Sequence, residues 1–391
     1  MSAALGQFLR KRNDETMFEE IAALAQNTGQ MFQRAAQQLL ESGELHKLFD
    51  LRLMECRHRL ALPLEPGGSL EDHAEPLRSE LETSYLAACR EVGQLFLDRG
   101  QAQEAWNYLR AAGEKDLLRK WLASVVPDEQ QLDELIGLAL YEAVDSERGF
   151  AWLLAQRGTC NAITQLESLA GQLPAPDQVA CTALLVRHLH EELLGNLRGH
   201  LERLQQTVLG FDSICAILDK VPSLVEGGAF HIDTSHLATT VRFARLLTEP
   251  ALLELAIDLA EYGGRLDKDL QYPDQPPFED LYPAHLRFFR ALLGDQVEGA
   301  AEYFGERARR VDVQQHGTTA IESYLILLMR TDQAERALAE YPEMVPHNCV
   351  LSPLAPSLLQ LSQACNGWGR YLEICQARND LVGFTAGQLL S

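Results

Sequence analysis

The sequence predicts an all-α chain of stacked antiparallel helical hairpins, arranged as a repeat array or an α-α superhelix. Three observations lead there. Apolar residues recur three and four apart along nearly the whole chain, which is helical spacing. Alternating, strand-like patterns are almost absent. Two stretches that begin at Gly294 and Thr331, 37 residues apart, share one pattern. At 391 residues the chain is too long for one small core, so two or three domains or an elongated array are expected.

Taken in order, the periodicity predicts helices over 15–42 and 45–60, which form an N-terminal hairpin unit over 1–62. Pro63, Pro66, Gly67 and Gly68 then make a turn-rich linker. A second unit, 70–172, holds helices over 76–99, 102–113, 115–123, 129–145, 147–157 and 160–171. A central segment, 173–280, contains a long helix over 177–208, a break from Pro222 to Gly228, and helices over 235–247 and 250–263. It closes on Tyr272-Pro273 to Pro276-Pro277, where three prolines lack the N–H donors that a helix needs. The C-terminal unit, 281–391, carries helices over 281–294, 296–310, 317–330, 332–341, 354–366 and 367–388.

The formal net charge is −22, with 23% charged and 46% apolar residues. Such a surface repels phosphate backbones and anionic lipid heads, so neither nucleic acid nor membrane is expected as a partner. The longest basic cluster, Arg10-Lys11-Arg12, is short and closely followed by acids. The opening MSAALGQFLRKRNDE has too short an apolar run for a signal peptide, and its basic residues follow that run. No apolar stretch is long enough for a membrane span. The eight cysteines, Cys56, Cys89, Cys160, Cys181, Cys215, Cys349, Cys365 and Cys375, form no C-x-x-C pair and sit mostly in apolar helical runs. A reducing, cytoplasmic setting is the expectation.

The stretch 93–112 places Gly93, Phe96, Gly100, Ala105, Leu109 and Ala112 at the small and packing positions of a two-helix unit. The later pair places Ala300 and Ala337 similarly, each after a short polar turn. These patterns resemble tetratricopeptide-like helical repeats over about half the chain. The early Trp and the closing Pro of that family are missing from these units. The resemblance implies an array whose concave face binds a partner protein or peptide. A peptide held by its carboxylate would want cations there, and Arg242, Arg245 and Arg287, with Tyr282 nearby, are the candidate ligand-binding residues.

Three polar clusters are not needed by a repeat. On the helix 177–208, His188, Glu192, Gly195 and Gly199 share one stripe, and His190 lies on the opposite one. Two mid-helix glycines cost about 1 kcal/mol each relative to alanine, which suggests close approach by a helix or a ligand. His188 and Glu192, at i and i+4, could hold one ion or form a simple pair. The second cluster, His231, Asp233 and His236, suits a divalent transition-metal ion through two imidazoles and a carboxylate. Alternatively, Asp233, Thr234 or Ser235 caps the helix that follows. The third is the proline loop ahead of Asp280, Tyr282 and His285, which either covers a site or joins two blocks. Cys160 near a helix N-terminus is a minor candidate nucleophile.

Two functions follow. One is a helical-repeat scaffold that binds a partner protein or peptide. The alternative is a metal-dependent hydrolase or lyase/isomerase acting on a small polar substrate. In that enzyme His231, Asp233, His236, His188 and His285 would serve as metal ligands, and Glu191 or Glu192 as general base for a metal-bound water. The motifs of P-loop, zincin, serine-hydrolase and dinucleotide-binding enzymes are absent.

Overall fold

The computed structural model describes residues 17–65, 67–204, 213–347 and 349–391. Arg10-Lys11-Arg12, Pro66 and the last four residues of the helix expected over 177–208 lie outside them. The described residues are helical or irregular, with no strand among them. No helix among them is long and apolar enough to cross a membrane. The chain forms two compact units, 1–145 and 146–391.

In the first unit, helical residues 17–23 (α1) precede α2 (Thr28–Ser42) and α3 (Leu45–Arg59). The single helix expected over 15–42 is thus interrupted after residue 23, and Asn27 caps α2 by accepting from the Gln30 amide. Helices α4 (Leu77–Asp98), α5 (Ala102–Leu109), α6 (Lys115–Ser124) and α7 (Leu132–Ile136) follow, with a π-helical turn over Gly137–Tyr141. Each of α2 to α5 packs on the next helix in sequence. The small residues explain how α4 and α5 pack so closely. A Cβ on Gly93 would stand 2.6 Å from Leu109, and Ala105 and Leu109 are fully buried there.

The second unit opens with α8 (Ser146–Leu169), which breaks at Gly158, where φ is +73°. This is the interruption expected between 157 and 160. It continues with α9 (Ala175–Arg203), α10 (Ile214–Lys220), α11 (Thr234–Phe243), α12 (Pro250–Arg265), α13 (Leu281–Leu292) and α14 (Val297–Arg310). After the short α15 (Val313–His316) come α16 (Thr319–Arg330), α17 (Ala334–Met344), α18 (Leu358–Cys365), α19 (Trp368–Ala377) and α20 (Leu381–Leu390). The apolar spacing predicts no helix at α10 or α15, and it predicts one helix over 367–388 where the structure has α19 and α20. A single buried cluster joins α9 to α18, with Phe278, Phe288, Phe289, Phe304, Tyr262, Tyr282 and Tyr324 among its largest members.

One turn recurs between helices. The backbone N–H donates five residues back from Glu44 to Leu39, Gln101 to Phe96, Glu114 to Leu109, Asp295 to Arg290, Gln333 to Leu328, Gly367 to Ser362 and Asp380 to Cys375. The residue before each donor is left-handed: Gly43, Gly100, Gly113, Gly294, Asp332, Asn366 and Asn379. This is the Schellman closure, which satisfies the last carbonyls of a helix and lets the next begin almost at once. Both 294–303 and 331–340, the stretches that share a pattern, begin on such a turn.

Candidate functional site

The histidines expected as metal ligands each have partners of their own. His285 is fully buried, with its ring stacked on Phe278 at 4.1 Å and Nδ1 donating to the Leu281 carbonyl at 2.6 Å. Burial, then the charges of Arg245 and Arg242, hold its pKa well below the usual value, so it is neutral. His188 meets Thr159 at 2.9 Å, and the same hydroxyl donates to Glu192 at 3.2 Å, on a solvent-facing side of α9. Glu191 is exposed on that helix. Asp233 is the N-cap of α11, accepting from the Ser235 and His236 amides at 2.8 and 3.2 Å, so its carboxylate is used by the helix. Asp280 precedes α13 without a side-chain cap bond. His236 is half-buried in the first turn of α11. Among the described residues no group of three His, Cys, Asp or Glu could hold a metal ion.

His231 has a different set of partners. The Tyr262 hydroxyl accepts from its backbone N–H at 2.7 Å and lies 3.1 Å from Nδ1. Its Nε2 is 2.7 Å from His200 Nδ1, and Asn196 donates to its carbonyl. A neutral His231 protonated on Nε2 satisfies all of these contacts. Burial first, then the neighbouring His200 and Arg203, lower its pKa to about 4. Beside it runs an open groove with Glu192, Gly195, Gly199 and the exposed Phe230 in its walls. A Cβ on either glycine would meet nothing within 4 Å. The two mid-helix glycines therefore mark open space in a groove; of the two expectations, close approach by a helix or by a ligand, the helix is not there.

The arginines come together. Helix α11 ends in a 3₁₀ turn over Ala244–Leu246, where residues three apart eclipse one another. Arg242 and Arg245 consequently line the same cavity of about 350 Å³. Arg330 fixes that turn by donating to the carbonyls of Arg245, Leu246 and Leu247 at 3.2, 3.4 and 2.9 Å. Arg242 is neutralised by Asp274 at 3.1 Å, which ties the proline loop to α11. Arg245 has no such partner. Its Nε donates to the Arg242 carbonyl at 2.9 Å, and its guanidinium lies over the Phe278 ring at 4.7 Å. Neither terminal nitrogen has a hydrogen-bond or ion-pair partner among the described residues. Burial pushes its pKa down, yet an arginine stays charged. The side chain lies deep in the chain and keeps some accessible surface, as a cavity-lining group does.

The rest of the cavity is mixed. Phe243, Leu246, Phe288, Ile326 and Leu354 form its apolar part, and Ser323 brings a hydroxyl with no partner in the protein. Gln178 donates Nε2–H to the Leu173 carbonyl, which leaves its amide oxygen free to accept. Glu322 lines the cavity, but Ser352 and Thr318 occupy its oxygens. Of the other expected ligand-binding residues, Arg287 stacks on Tyr303 at 4.2 Å and does not line this cavity. Tyr282 is fully buried with its hydroxyl unpartnered, and its ring fills the space that a side chain at Gly263 would need.

A buried pair escaped the sequence reading. Asp258 accepts from His190 Nε2, Ser213 Oγ and the Ile214 amide at 3.0 Å each, and from the Cys215 amide at 3.3 Å. These bonds outweigh burial and hold its carboxyl at about 2. The available signal was a lone acid on the apolar face of Leu252–Leu259. Comparison with protein-family models, with curated proteins and with solved structures returned no match to this chain.

Proposed function

We propose that the chain is a helical-repeat scaffold that binds a partner protein or peptide, and that the cavity under Arg245 takes an anionic group of that partner. One observation carries this: the half-buried Arg245 guanidinium lines a cavity, and neither terminal nitrogen has a partner among the described residues. A half-buried cation whose fork faces a cavity is matched best by an anion that enters that cavity. The recurring Schellman turns and the shared pattern of 294–303 and 331–340 support the repeat reading. Stacked two-helix units of that kind present extended surfaces suited to binding. A net charge of −22 argues for a protein partner over nucleic acid.

The test compares the full chain with its Arg245→Met variant as baits, with retained proteins identified by mass spectrometry. The expected result is a defined protein held by the wild type and lost from the variant. Identical retention by both would remove the cavity from the binding surface.

A further inference from the structure

Resting on that reading, we propose that the group taken by the cavity is a carboxylate carried on an apolar body, as at the C-terminus of a peptide that ends in an aliphatic or aromatic residue. The free edge of Arg245 presents two parallel N–H donors, which match the two oxygens of one carboxylate. Charge in the wall favours a monoanion. Arg242 is already neutralised by Asp274, and Glu167 and Glu322 add negative charge to the lining. One unpaired cation remains, too little to hold a phosphate dianion against those acids.

The remaining lining fits what accompanies a terminal carboxylate. Phe243, Phe288, Ile326 and Leu354 offer an apolar wall for a last side chain. The Ser323 hydroxyl can donate to a ligand oxygen, and the Gln178 amide oxygen can accept a peptide N–H. A volume of about 350 Å³ is in the range of small-ligand pockets, where a few placed polar groups orient an apolar body. The same chemistry could come from a free small carboxylate, and the probes separate the two sources.

Binding to the full chain is measured by calorimetry. The probes are an N-acetylated, alanine-rich hexapeptide ending in leucine, its C-terminal amide, N-acetyl-leucine, octanoate and phenyl phosphate. The free-acid peptide is expected to bind, with the amide weaker by about tenfold or more. Arg245→Met should abolish binding. Arg245→Lys, which keeps the charge and loses the fork, should weaken it and controls for folding. Binding of octanoate or N-acetyl-leucine but not the peptide, lost in Arg245→Met, would uphold the carboxylate and overturn the peptide scaffold. Tighter binding of phenyl phosphate than of any carboxylate would overturn the carboxylate. So would an amide as tight as the acid, or no binding by any carboxylate, and in each case a partner captured through Arg245 would still stand.

Discussion

Asp258→Asn is the sharpest test of how the second unit is held together. The carboxylate takes four hydrogen bonds, two on each oxygen, and two of the donors are backbone amides in the first turn of α10. An asparagine has the same shape but only one acceptor oxygen. Whichever way its amide turns, the NH₂ faces a backbone N–H, from Ile214 or from Cys215, and a side-chain donor besides. Two bonds to a charged acceptor are lost, at about 1.5–3 kcal/mol each, so a loss of about 3–6 kcal/mol is expected. The pH dependence gives an independent figure. The folded-state pKa lies near 2, below the ordinary 3.8. The stabilisation is therefore complete above pH 3.8 and lost as pH falls through 2. At about 1.4 kcal/mol per unit, that shift is worth about 2 kcal/mol, the part of the larger cost that belongs to ionisation alone. Urea unfolding followed by circular dichroism at pH 7 measures the first figure. Repeating it at pH 3 should narrow the gap between the two proteins. A variant within 0.5 kcal/mol of wild type at pH 7 (about the spread of ordinary surface substitutions) would show that Asp258 is not the hub of this network.

Three further predictions concern stability. Gly263→Ala should cost about 1–3 kcal/mol, since its Cβ would lie 2.2 Å from the buried Tyr282 ring, whereas Gly195→Ala and Gly199→Ala face open space and should each add about 0.5–1 kcal/mol, all read as changes in Tm. Arg245→Met should leave Tm unchanged or raise it, because a half-buried guanidinium without an ion-pair partner among the described residues gives way to an apolar chain, and a large fall would mean that Arg245 serves the fold and not a ligand. The folded state resists a proton on His231 until about pH 4, while the unfolded chain takes one below 6.5. Its contribution is therefore present above pH 6.5 and lost as pH falls toward 4. Tm should drop across that window and drop less in His231→Gln, and equal slopes would sink the assignment.

Much of this was visible in the residues themselves. Helical spacing marks the helices from α2 to α17, α10 and α15 excepted, because one periodic apolar face is a local property. Gly100, Gly113 and Gly294 end helices for an equally local reason, a backbone with positive φ. Asp332, Asn366 and Asn379 do the same work less visibly, which is why α19 and α20 ran together in the sequence reading. Asp233 as an N-cap and Gly158 as a break were also within reach of local rules.

The meetings between distant polar groups were not. His231 finds His200, 31 residues away, and His190 finds Asp258, 68 away. Arg245 finds the Phe278 ring, and no carboxylate among the described residues comes within ion-pair distance of it, although Asp274 and Glu322 act on it from farther off. A helical period says which side of a helix is apolar, but not which side of which other helix will cover it. Local patterns therefore carry the all-α class and most of the breaks between helices. Packing between distant segments is what keeps the glycine stripe of α9 open, gives each histidine its own partners, and turns the Arg245 guanidinium toward a cavity.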